Sequence, residues 1–152
     1  MKAYPLEAAR TLRAEELEEA KRALAAAIQR VGEAEAVLER AQQRREEHGR
    51  ETREAQLRIT GPGARSAAEL QQGQAYLQRR RDEAEALAEK VAQAEGALQE
   101  ARAGVDHAQT ALAEARAQAE AVERHHAKWK AALERKAERK AEDEADDRPR
   151  TD

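Results

Sequence analysis

Two stripes of apolar residues, each repeating every seven positions, approach Gly61-Pro62-Gly63 from opposite sides. Upstream, Leu17, Leu24, Val31 and Leu38 alternate with Ala20, Ala27, Ala34 and Ala41. Downstream, Leu70, Leu77, Ala84, Val91, Leu98, Val105 and Leu112 run with Leu87, Ala94, Ala101, Ala108 and Ala115 between them. Such a repeat keeps one helix face apolar and winds paired helices into a left-handed supercoil. Folding the chain at Pro62 sets large residues against small ones. Leu17 is expected to face Ala108, Ala20 Val105, Leu24 Ala101, Ala27 Leu98, Val31 Ala94 and Ala34 Val91. Large-to-small matching between layers specifies partner and register. The pattern predicts an all-α fold: a long antiparallel two-helix coiled-coil hairpin, with residues 1–152 forming a single domain.

Local signals place the boundaries. Pro5 suits a first helical turn, where its missing N–H costs nothing, so helix one is predicted over about 5–58. Gly61 is expected to be a left-handed cap, and Pro62 stops continuation, giving a turn at about 59–65. Ser66-Ala67-Ala68-Glu69 reads as a capping box that starts helix two over about 66–147, leaving a frayed tail at 148–152. At 1.5 Å per residue the helices would run roughly 80 and 120 Å, so helix two carries a C-terminal overhang.

The pairing above brings Leu6 opposite Ala119 and Ala3 opposite Val122, with no first-helix residue beyond. The second stripe nevertheless continues through His126, Trp129 and Leu133. The sole Trp is therefore expected on the overhang, as an exposed anchor for a partner. Two other readings stand beside it: Tyr4 or Leu6 folds back over Trp129, or the segment self-associates. Beyond it, Arg124 to Lys140 is mainly basic and Glu142-Asp143-Glu144-Ala145-Asp146-Asp147 acidic, as in either a solvated helix end or a docking tail.

Toward the turn the expected layers become polar: Arg45 opposite Arg80, His48 opposite Leu77, Thr52 opposite Gly73. Two facing guanidinium groups cannot both be buried, so their stems should snorkel outward. Gly73 weakens the helix further. A looser end with Tyr76 partly exposed follows. It serves either as a second recognition surface, built on His48, Tyr76 and Arg80, or as a register-setting irregularity.

Composition narrows the chemistry. Charged residues make up 39% of the chain and aromatic residues 2%, the profile of a long helical coiled coil rather than a compact core. Regular heptads argue against disorder. The net charge of −3, with signs interspersed, gives no field suited to nucleic acid or to a membrane surface. No run approaches a membrane span, there is no Cys, and the start lacks a signal-peptide core, so a cytoplasmic protein is expected. The one Ser, Ser66, is accounted for as a cap. His125 and His126 are consecutive and diverge, and Glu123 with His126 lacks further ligands. No phosphate-binding loop is present. The expectation is no enzyme, no cofactor and no metal.

The start, Tyr4-Pro5-Leu6-Glu7-Ala8-Ala9-Arg10-Thr11-Leu12-Arg13, resembles the first turns of the YscO/FliJ family of type III secretion proteins. The segment Glu123-Arg124-His125-His126-Ala127-Lys128-Trp129, and the charged helix after it, also resemble YscO-type members. The resemblance spans the chain in architecture and about twenty-five residues in motif. It implies a non-enzymatic stalk protein that binds the hexameric secretion ATPase and links it to the export gate protein and to substrate chaperones. Such a protein is cytoplasmic and peripheral to a membrane-embedded apparatus. Exposure then nominates Tyr4, Leu6, His126, Trp129 and Leu133 for the ATPase contact, and His48, Tyr76 and Arg80 for the gate or chaperones. A structural spacer, or a self-associating adaptor unrelated to secretion, is the competing reading.

Overall fold

The computed structural model describes residues 2–149. Two long helices, α1 (Glu7–Thr60, 54 residues) and α2 (Ala67–Asp146, 80 residues), pack together as an all-α helical hairpin. Ala, Glu, Arg and Leu favour helix, and no Pro lies inside either element. Residues 150–152 of the expected tail lie outside the described residues.

Both helix starts and the turn have local causes. The Glu7 N–H donates to the Tyr4 carbonyl (3.2 Å) and the Arg10 N–H to the Leu6 carbonyl (2.9 Å), so α1 begins just after Pro5. Ser66 caps α2, its Oγ accepting from the Glu69 N–H at 3.2 Å. The turn glycines divide their work differently from the expectation. Gly63, not Gly61, takes the positive φ (+143°). Gly61 is needed for another reason: a β-carbon there would stand 2.7 Å from the Leu57 carbonyl oxygen. The Arg65 guanidinium donates to the Arg58 carbonyl and so ties the turn to the end of α1.

The chain divides into two compact units, one of Met1–Ala25 with His107–Asp152, the other of Ala26–Asp106. Within Ala26–Asp106 the helices run antiparallel, but one heptad away from the expected register. Gly73 meets Ile59 rather than Thr52, and Arg80 meets Thr52 rather than Arg45. Ala27, Ala55, Val91, Ala94 and Leu98 form the buried seam of this unit, and Ala55 is its least exposed member at 3%. In the unit of Met1–Ala25 with His107–Asp152, Arg10 bonds Glu123 and Arg13 bonds Gln118, again antiparallel. There too the partners lie about one heptad further along α2 than expected; Tyr4 and Ala115 are the buried residues. No side chain among the described residues is completely buried, since two helices cover only one face of each other.

Candidate functional site

An aromatic cluster forms where α1 begins. Residues 2–6 precede the helix, and Tyr4 turns back onto α2, where it is only 7% exposed. Its ring meets Trp129 at 5.1 Å, His126 edge-on at 4.7 Å and His125 at 5.8 Å between centroids. These separations fall in the range favoured by tilted and edge-to-face pairs. Tyr4 Oη and His125 Nδ1 share a hydrogen bond of 2.6 Å. His126 and Trp129, three residues apart on one helix face, stack at 6.0 Å. The expectation that nothing intramolecular covers Trp129 is thereby corrected: the fold-back of Tyr4 is the arrangement observed. The missing heptad is the cause, because the true register carries the start of α1 further along α2.

The rest of the predicted stripe keeps some exposure. Leu6 is 43% exposed, whereas Trp129, His126 and Leu133 are half-buried. From Glu134 to Pro149 every residue is exposed, so α2 continues uncovered past Leu133. Beside the cluster, Arg10 grips Glu123 with two bonds, Nε to Oε1 at 2.6 Å and Nη2 to Oε2 at 3.3 Å. That bond holds the Glu123 carboxyl below its ordinary value, and Glu123 with Glu7 raises the Arg10 guanidinium.

Nearer the turn, in the unit Ala26–Asp106, a polar layer replaces the apolar seam. Arg80 does not snorkel outward as expected; its side chain is 14% exposed and lies across α1. Its Nε donates to Thr52 Oγ1 (3.0 Å), and its Nη2 to the His48 carbonyl (3.2 Å) and to Glu51 (3.1 Å). Thr52 in turn donates to the same His48 carbonyl at 2.8 Å. His48 Nε2 and Glu83 Oε2 are 3.0 Å apart, and a carboxylate can only accept, so Nε2 carries the proton. Arg80 Nη1 also reaches Glu83, at 3.4 Å. The layer is thus closed on itself, and among the described residues no buried side-chain nitrogen or oxygen lacks a partner. Tyr76 is half-buried, while Leu57 and Leu70 near the turn stay exposed.

Among the described residues, no three His, Cys, Asp or Glu side chains are placed to hold a metal ion, and no helix is long and apolar enough to cross a membrane. The site members that sequence reasoning missed are Arg10, Glu123, His125, Glu51, Thr52 and Glu83. A pairing continued toward the turn, with Ile59 against Gly73, would have found the last three.

The fold defines a class: helical hairpins whose polar side chains bond from one helix to the other. A family profile described as YscO-like protein matches residues 1–148, and the chain belongs to that family. It is a type III secretion-related protein. The solved structure of CT670 from Chlamydia trachomatis, described as a YscO homolog, aligns with a TM-score of 0.81. The alignment covers 96% of this chain and 91% of that one at 18% sequence identity, a likeness of fold. No curated protein sequence matches the chain.

Proposed function

We propose that this protein is a non-enzymatic stalk component of a type III export apparatus. It binds the hexameric secretion ATPase through the helix-end cluster of Tyr4, Leu6, His126, Trp129 and Leu133. The surface around His48, Tyr76 and Arg80 faces the export gate protein or substrate chaperones. The protein works in the cytoplasm, peripheral to the membrane-embedded apparatus. One observation supports the reading above all: the half-buried Trp129 and Leu133 lead directly into an uncovered, charged stretch of α2 from Glu134 to Asp146. An uncovered helix that starts at an aromatic anchor suits insertion into a protein pore.

Helices of unequal length cannot present the same surface to six ATPase subunits. Each subunit then meets different side chains, and differential contact energy biases its nucleotide state. The test is ATPase stimulation by the purified protein, with and without Trp129→Ala plus Leu133→Ala. Loss of stimulation with helicity retained supports the contact. Full stimulation by the double variant moves the contact elsewhere. Failure of the native protein to capture any hexameric ATPase from its own cells favours the spacer reading instead.

A further inference from the structure

The apolar stripes of the unit Ala26–Asp106 do not by themselves decide how α1 and α2 align. Large and small residues alternate along Ala27, Val31, Ala34 and Leu38, and along Val91, Ala94, Leu98 and Ala101. Carried along the seam from Thr52 and Arg80, the observed alignment sets Ala34 against Leu98 and Val31 against Ala101. Sliding one helix by a heptad sets Ala34 against Val91 and Val31 against Ala94, which is again large against small. Apolar contact is non-directional and follows buried area, so this stretch discriminates poorly between the two alignments.

We propose that the layer of Arg80, Thr52 and His48 is a register lock that holds the hairpin against a seven-residue slip. In the observed register the Arg80 guanidinium has the Thr52 hydroxyl, the His48 carbonyl and the Glu51 carboxylate of α1 within 3.0–3.2 Å. Those three acceptors occur together at one place on the seam. Slip in one direction brings Arg80 against Arg45, where two cations face each other. Slip in the other brings it against Ile59 and Arg58, neither of which has a side-chain acceptor. Either strands a largely buried charge, and a planar fork that matches several acceptors cannot be satisfied by an approximate fit. A single polar layer that sets helix register, at some cost in apolar contact, is the best-attested use of such groups.

The full chain contains no Cys, so register can be read by disulfide trapping. Ala41→Cys with Val91→Cys reports the observed alignment, and Ala34→Cys with Val91→Cys the slipped one. In the otherwise native chain, mild oxidation is expected to close only the first pair within one chain. Adding Arg80→Leu should raise closure of the second pair at least tenfold, with helicity by circular dichroism unchanged. Thr52→Val keeps the side-chain shape and removes only the hydroxyl, so it too should raise the slipped product. That response separates a hydrogen-bonding lock from mere packing of the Arg80 stem, and it keeps the test open if Arg80→Leu unfolds. Closure of only the observed pair in both variants, or equal closure of both pairs in the native background, would overturn the lock.

Discussion

A β-carbon on Gly73 would stand 2.7 Å from Cγ2 of Ile59. Carbon atoms do not pack that closely, and the β-branched Ile59 cannot swing its methyl away freely. Gly73→Ala therefore meets two opposed effects: about 1 kcal/mol gained from helix propensity and about 1–3 kcal/mol lost to overpacking. The loss should win, lowering the urea midpoint. In an Ile59→Ala background the clash is gone, and Gly73→Ala should then stabilise. A double-mutant cycle without this change of sign would reject Ile59 as the reason for a glycine at this position.

Tyr4 links the segment before α1 to Trp129, the only Trp and thus an intrinsic reporter. Tyr4→Phe keeps the ring and removes the bond to His125, so it should cost about 1 kcal/mol and leave the fluorescence maximum in place. Tyr4→Ala removes the ring contacts, should cost about 2 kcal/mol, and should shift Trp129 emission to the red. Unchanged emission in Tyr4→Ala would mean that Tyr4 does not shield the indole in solution.

The pair Arg10–Glu123 predicts a pH dependence. Hydrogen bonding to Arg10 lowers the Glu123 carboxyl from its ordinary value of 4.5. A lowered folded-state value means that the unfolded chain takes up the proton first as pH falls. The pair's contribution is thus complete above the ordinary glutamate value and is lost as pH falls through the lowered one. The Tm difference between the native protein and Glu123→Gln should be constant near neutrality and shrink below about pH 4.5. Both side chains are substantially exposed, so salt should shrink the same difference. A Tm difference independent of pH would show that the pair contributes nothing.

Ser66 supplies the acceptor for the Glu69 N–H at the start of α2. Ser66→Ala should cost about 1 kcal/mol, and Ser66→Gly only a few tenths. Equal loss in the two variants, measured by chemical denaturation, would argue that Ser66 acts through something other than its cap.

Helix identity and the turn were legible because their signals are local. Heptads from Leu17 to Leu38 and from Leu70 to Leu112, Pro62, and the Ser66 cap each act within a few residues. Heptad spacing alone points to an alignment one heptad away from the true one. Only the layers near the turn break the degeneracy: in the true register Gly73 receives Ile59 and Arg80 receives Thr52. That offset reaches the site. It leaves Trp129 uncovered, whereas the true register brings Tyr4 over it. It also sets Arg80 against Arg45, which predicts outward snorkelling where the structure holds a closed hydrogen-bonded layer.

Heptad spacing and capping residues alone therefore determined that the chain forms two helices, where they break, and which face of each is apolar. Tertiary structure decided which heptad faces which, the partners of Arg80, and the cover over Trp129. The physical reason lies in the forces themselves. Apolar contact rewards buried area without direction and recurs at every seventh residue, whereas a guanidinium among fixed acceptors, or a methyl against a glycine, fits at one alignment only.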